Sequence, residues 1–271
     1  MPELPEVETS RRGIEPHILN KKVSNVIVRQ KQLRWPIPSI LKKQLCGQII
    51  RQVERRGKYI LLRCDNGTVI LHLGMSGSLR IVKPAVIAEK HDHLDICFSN
   101  NKILRLRDPR RFGSVLWTKS NPLQHKLLIN LGPEPLDDVF NAQYLYQQSR
   151  KRKVAIKTFL MNSHIVVGVG NIYANESLFA AGISPKRAAC QISLARYQKL
   201  APLIKSILLQ SIDQGGTTLK DFINEEGKPG YFQQTLNVYG RENKPCMQCG
   251  KNIKKITQTQ RSTFYCSHCQ K

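Results

Sequence analysis

Pro2 and Glu3 open a stretch, Met1-Pro2-Glu3-Leu4-Pro5-Glu6-Val7-Glu8, whose residue types can do covalent chemistry. Once Met1 is removed, the nitrogen of Pro2 is a free secondary amine. An α-amino group has a pKa near ~8, so part of the population is unprotonated at neutral pH. A neutral amine attacks an electrophilic carbon and forms an imine, whereas a backbone amide does not. Retention of Met1 turns the same nitrogen into an amide and silences it. Glu3 sets a carboxyl acid/base one residue from the nucleophile. Taken alone, the stretch reads first as an ordinary capped helix start, with Pro5 in the first turn and Glu6 and Glu8 at the positive end of the helix.

The second chemistry is metal binding. Cys246-Met247-Gln248-Cys249 and Cys266-Ser267-His268-Cys269 are two C-x-x-C knuckles separated by the 16 residues 250–265. That spacing matches a tetrahedral four-thiolate zinc site. A site closed by four protein ligands is structural, so one zinc ion folds the segment and takes no part in catalysis. His268, between two ligands, is a bystander. Lys251, Lys254, Lys255 and Arg261 make the finger basic and suit it to phosphate contact.

The third is nucleic-acid recognition. Asp108-Pro109-Arg110-Arg111-Phe112-Gly113 places arginines beside an aromatic on a turn, the chemistry of a wedge that unstacks a base step. The competing reading is a solvated β-turn. Gly74-Met75-Ser76-Gly77 is a second Gly-flanked turn, with Met75 either exposed or a core residue. Arg150-Lys151-Arg152-Lys153 is a basic run expected at the start of a helix. Val167-Gly168-Val169-Gly170-Asn171 reads as a glycine-rich turn opening a helix, with N–H groups exposed to bind phosphate. It lacks dinucleotide and P-loop spacing, so no nucleotide cofactor is expected.

These groups need a scaffold. Residues 23 to about 118 read as short strands with turn signals at Asp65-Asn66-Gly67 and Asn100-Asn101, the pattern of a β-sandwich or barrel. The Pro/Gly cluster Leu131-Gly132-Pro133-Glu134-Pro135 marks a boundary, after which the period is helical. Helices are expected over Tyr144–Met161, Ile172–Ala181 and Leu194–Ile212, the last with a start or kink at Pro202. Gly215-Gly216-Thr217-Thr218 and Glu225–Gly230 bracket a candidate substrate lid. The reading is an α+β, multidomain chain: 1–131 a catalytic β-sandwich with an N-terminal helix, 132–236 a helical DNA-binding domain, and 237–271 the finger.

Composition narrows the partner. The 271 residues carry a formal net charge of +24, which points to an anionic macromolecule, with nucleic acid the default. No apolar run of about 18 residues predicts a membrane span, and the acidic start is not a signal peptide. Of eight cysteines, Cys46, Cys64, Cys97 and Cys190 are scattered, as expected in a reducing cytoplasm.

Met-Pro-Glu-Leu-Pro-Glu-Val-Glu, Asp-Pro-Arg-Arg-Phe-Gly, Gly-Val-Gly-Asn-Ile-Tyr-Ala-Asn-Glu and the four-cysteine finger, in that order, resemble the bacterial formamidopyrimidine-DNA glycosylase family over essentially the whole chain. The resemblance implies an N-terminal β-sandwich, a helix–two-turn–helix domain and a zinc finger. It also implies a bifunctional base-excision repair enzyme that removes oxidised purines, chiefly 8-oxoguanine and formamidopyrimidines, and then nicks the abasic site by β- and δ-elimination. By that likeness Pro2 attacks the sugar C1′, Glu3 is the acid at the sugar, Lys58 is the proton donor of β-elimination, and Arg261 is the finger arginine that grips phosphate around the lesion and is assigned to δ-elimination. Met75, Arg110 and Phe112 fill the gap left by the extruded nucleotide. His91, Arg152, Lys157 and Asn171 match DNA-contacting positions. Thr217 to Tyr231 is where the family holds the damaged base. The partner implied is double-stranded DNA with oxidised bases or abasic sites, bound by a monomer. Two readings stay open beside it: the endonuclease VIII branch, which prefers oxidised pyrimidines, and a non-catalytic zinc-finger DNA-binding protein. Leu4 and the Arg-Arg-Phe wedge favour the purine-specific branch.

Overall fold

The computed structural model describes residues 2–215 and 236–271. Met1 and the expected base-holding segment from Thr217 to Tyr231, including the lid candidate over Glu225–Gly230, lie outside the described residues. Two compact units emerge, residues 2–129 and residues 130–214 with 236–271.

The first unit opens with helix α1, Leu4–Ile18. Glu3 is its N-cap, Pro5 lies in the first turn, where a missing N–H costs nothing, and the Glu6 carboxylate accepts the Glu3 N–H at 2.8 Å. Eight strands follow as two antiparallel four-stranded sheets. One has the order β1 (Val23–Val28), β6 (Asp92–Phe98), β7 (Ile103–Arg107), β5 (Ser78–Val82); the other β2 (Ile50–Arg56), β3 (Tyr59–Cys64), β4 (Gly67–His72), β8 (Ser114–Thr118). Val26, Leu94, Ile96 and Leu104 of the first sheet share one core with Ile60, Leu62, Val69 and Val115 of the second. That shared core makes the unit a sandwich. Val7, Ile14 and Ile18 bury the apolar stripe of α1 in the same core, and a short helix α2 (Leu41–Leu45) adds Leu41 and Leu45. Both expected hairpins form. Gly67 is required at its turn because a Cβ there would sit 2.4 Å from the Trp117 ring.

The second unit is helical, with α3 (Ala142–Ser149), α4 (Ile156–Leu160), α5 (Asn171–Ala180) and α6 (Leu194–Asp213). Phe159, Tyr173, Leu178, Tyr197, Ile204 and Leu208 supply its core. The single helix expected over Tyr144–Met161 is two helices. Residues 152–156 instead pair in extended form with 187–190, through bonds from Ala189 N to Val154 O and Ile156 N to Arg187 O and a bridge between Ala155 and Ala188. The basic run therefore ends α3 and does not start a helix. Arg150 turns inward, donating to the carbonyls of Cys190 and Ile192, while Lys151, Arg152 and Lys153 are exposed. α6 runs through Pro202 without a break. The unit closes with the hairpin β9 (Lys254–Gln258) and β10 (Arg261–Tyr265), antiparallel in register Gln258–Arg261 to Lys254–Tyr265.

Candidate functional site

At the N-terminus the structure builds a fixed carboxyl beside a half-buried Pro2. Glu3 is 2 % exposed and Glu6 3 %. Glu6 is held by the capping bond to the Glu3 N–H, so its part is to fix the first turn. Behind that turn, Glu8 anchors the helix. Burial alone would raise its pKa, but Arg11, Arg12 and Arg55 more than reverse this and hold it below the ordinary carboxylate range. Arg55 also donates through Nη1 to the carbonyl oxygen of Gly57 at 3.0 Å. Gly57 and Lys58 are the two turn residues between Arg56 and Tyr59, and Gly57 has φ +58°. A two-residue hairpin turn of this hand calls for glycine at its first position, so local backbone chemistry presents Lys58. One arginine thus bridges the helix that carries Pro2 and the turn that carries Lys58.

His72, which the sequence did not single out, lies against the same turn. Its ring packs on Tyr59 with centroids 4.8 Å apart, and Nδ1 accepts the Gly74 N–H at 3.0 Å. Burial, then the charges of Lys58 and Arg34, push its pKa down to about 4, so it is neutral at pH 7.

The Gly74–Gly77 and Asp108–Gly113 turns come together in the first unit. Met75 is 40 % exposed and Phe112 45 %, so neither belongs to the core. The Arg110 guanidinium sits 5.0 Å from the centroid of the Phe112 ring. Asp108, fully buried, joins the turns: it accepts the Ser76 hydroxyl at 2.9 Å and the Gly113 N–H at 2.7 Å. Its own N–H donates to the carbonyl of His91, a half-buried residue whose ring stands edge-on to His93.

The second unit carries a basic groove of about 390 Å³, lined by Arg152, Thr158, Asn162, Thr259 and Arg261. Two arginines named separately from the sequence therefore face one cavity. Arg261 leaves a two-residue turn in which Thr259 and Gln260 both have positive φ, at 45° and 59°. Such a conformation is rare for a β-branched residue and marks a site held by its surroundings. The holding groups come from the Asn-Ile-Tyr-Ala-Asn-Glu helix and α4. The Asn171 amide and Lys157 ammonium donate to the Ser262 carbonyl at 3.0 and 2.9 Å, and Lys157 also donates to the Thr263 hydroxyl. Lys157 is 1 % exposed. The structure therefore places its ammonium inside the unit against the hairpin, not on the surface. Asn175 accepts the Phe264 N–H, and the buried Glu176 carboxylate accepts the N–H groups of Asn237, Val238 and Tyr239. Residues 165–170 are buried, so the glycine-rich turn is not the exposed phosphate cradle its composition suggested.

The sulfur atoms of Cys246, Cys249, Cys266 and Cys269 all lie within 4.8 Å of one another. Four thiolates about 2.3 Å from a tetrahedral zinc are about 3.8 Å apart. The Cys246–Cys269 and Cys249–Cys266 pairs, at 3.9 and 3.5 Å, fit such an ion. Among the described residues no helix is long and apolar enough to cross a membrane.

Family models cover most of the chain: a formamidopyrimidine-DNA glycosylase N-terminal domain at residues 1–115, the H2TH domain of the same enzymes at 131–223, and a zinc finger found in FPG and IleRS at 243–271. A formamidopyrimidine-DNA glycosylase from Nitrosococcus oceani is 56 % identical over 270 residues, covering 100 % of both chains. Among solved structures, Lactococcus lactis Fpg bound to DNA with an abasic site matches at 33 % identity and TM-score 0.91, covering 99 % of each chain. MutM bound to DNA with carbocyclic 8-oxo-G matches at 35 % identity and TM-score 0.90, again covering 99 % of each.

Proposed function

The chain belongs to the formamidopyrimidine-DNA glycosylase family, and from that premise we propose how its residues excise oxidised purines from double-stranded DNA and nick the resulting abasic site. With Met1 removed, the Pro2 amine attacks C1′ of the damaged nucleotide, the base leaves, and an imine joins Pro2 to the opened sugar. The imine acidifies the neighbouring sugar protons, so β- and then δ-elimination break the two phosphate bonds. Glu3 serves as the acid at the sugar, Lys58 as proton donor in β-elimination, and Arg261 as phosphate grip and donor in δ-elimination. The observation that carries this reading is the N-terminus itself. Glu3 is buried and its backbone capped, so the first turn of α1 fixes the carboxyl beside Pro2.

The target atom is inside stacked DNA, and extruding a nucleotide costs a few kcal/mol. Met75, Arg110 and Phe112, exposed on two joined turns, offset that cost by filling the vacated space. His91, Arg152 and Asn171 contact DNA around the lesion, and Lys157 contributes by holding the finger hairpin. The finger's zinc is structural: Cys246, Cys249, Cys266 and Cys269 would hold it, and it would supply folding energy. The enzyme acts as a monomer in the bacterial cytoplasm and uses no nucleotide cofactor. Cleavage of 8-oxoguanine and thymine-glycol duplexes, measured side by side, tests the substrate class. Preference for 8-oxoguanine is expected; preference for thymine glycol would assign the chain to the pyrimidine-specific branch.

A further inference from the structure

Asp108 stands out as a buried acid that none of the chemical steps uses. Its carboxylate is spent entirely on the two turns that carry the exposed wedge side chains. One oxygen takes the Ser76 hydroxyl and the other the Gly113 N–H. Ser76 Oγ in turn accepts the Arg110 N–H at 3.2 Å. The backbone of Asp108 is pinned as well: its carbonyl accepts from His93 Nε2 at 2.8 Å and from the Arg111 N–H at 3.2 Å. Arg111 has φ +57°, a left-handed conformation that a non-glycine residue keeps only when its neighbours impose it. The turns also touch through their backbones. A Cβ on Gly74 would lie 2.4 Å from Gly113 N and from the Phe112 carbonyl carbon, and one on Gly113 would lie 2.8 Å from the His72 carbonyl oxygen.

Met75 and Phe112 are exposed, so core packing does not set their positions. Their aim depends on the backbones beneath them, and those meet at Asp108 and Ser76. We propose that Asp108, acting through Ser76, is the positioning residue of the wedge: it locks the Met75 turn to the Arg110–Phe112 turn, so that all three side chains enter the duplex as one preorganised body. A wedge assembled in advance does not pay the ordering of two separate loops at the moment the nucleotide is extruded. The inference rests on the DNA-repair reading above.

Two substrates separate positioning from general stability. One is a duplex with 8-oxoguanine paired to cytosine, where the gap must be created and filled. The other is an abasic site facing a one-nucleotide gap, where no opposing base needs support. Ser76→Ala, at a half-buried surface position, removes the tie with little risk to folding; Asp108→Asn tests the carboxylate itself, with a thermal melt on each. Ser76→Ala is expected to lower kcat/KM on the paired lesion about tenfold or more and on the gapped substrate no more than about twofold, with Ser76→Thr restoring the paired activity. Equal losses on both substrates, or no loss on the paired lesion in a folded variant, would overturn the proposal. Failure of the unaltered protein to cut either substrate would overturn the DNA-repair reading instead, and the positioning role with it.

Discussion

The ammonium of Lys157 donates to the carbonyl oxygen of Ser262 at 2.9 Å, one residue beyond Arg261 on the finger hairpin. Asn171 donates to the same oxygen, so two elements of the helical unit grip the strand that aims Arg261. If Arg261 acts in δ-elimination as proposed, its position is set by a lysine that faces away from solvent.

Replacing Lys157 by Met keeps the length and removes the charge and the bonds to Ser262 and Thr263. The Ser262 carbonyl keeps Asn171 and the Thr263 hydroxyl keeps Gln258, so the loss is that of charge-assisted hydrogen bonds, about 1.5–3 kcal/mol. Unfolding of the variant should show that loss. Gel separation of cleavage products should show a shift from δ- toward β-elimination ends. An unchanged product ratio would mean that Lys157 does not position Arg261.

Zinc removal should act on affinity before chemistry. Cys249→Ser, or chelation of the intact protein, leaves the finger without its four-thiolate centre, and Phe264 and Ile253 lose the small core they share with Cys246 and Cys266. DNA affinity measured by fluorescence anisotropy should fall by at least about tenfold, since phosphate contacts dominate such binding. Full affinity after verified zinc loss would contradict this.

His72 makes an acid-sensitive contribution. Its folded pKa is pushed down to about 4 from the ordinary 6.5 by burial and by Lys58 and Arg34. The unfolded chain therefore takes up a proton between those values while the folded chain does not, and stability falls as pH drops from about 6.5 toward 4. The loss is at most about 3 kcal/mol for such a shift. A His72→Gln variant should show a flatter stability profile across this window; an identical profile would remove His72 as the cause.

Arg55 couples the helix of Pro2 to the turn of Lys58 through Glu8 and Gly57. Arg55→Met leaves Glu8 with Arg11 and Arg12, so about 1–2 kcal/mol of stability should be lost. Glu8, whose pKa is depressed below 4.5, gives stability that is present above that pH and lost as pH falls through its folded value. With one partner gone, acid unfolding of the variant should begin at higher pH than in the parent. Coincident acid transitions would show that Arg55 does not support Glu8.

How much could be read from residues alone divides along physical lines. The cysteine cluster and the capped helix start at Glu3 were legible because ligand spacing and capping chemistry are local. The Asp65-Asn66-Gly67 and Asn100-Asn101 turns were legible for the same reason. β2 is weakly marked in the sequence because only Ile50 and Val53 of its seven residues are buried, so its alternation is hidden among polar residues. The break between α3 and α4 escaped because it is caused by pairing with residues 187–190, far along the chain. His72 gave no signal, and Ser76 and Glu176 stood inside quoted motifs without a role of their own, since their importance lies in partners that folding brings near. The roles of Lys58 and His91 came from family likeness and not from the residues themselves.

The central claim is that the Pro2 nitrogen joins covalently to a deoxyribose. Protein with Met1 removed and zinc bound, incubated with an 8-oxoguanine duplex and borohydride, measures it directly by intact mass and peptide mapping. The account predicts a protein–DNA adduct whose modified peptide begins at Pro2. An adduct mapped to a lysine such as Lys58, or no adduct while the lesion is cut, would contradict it.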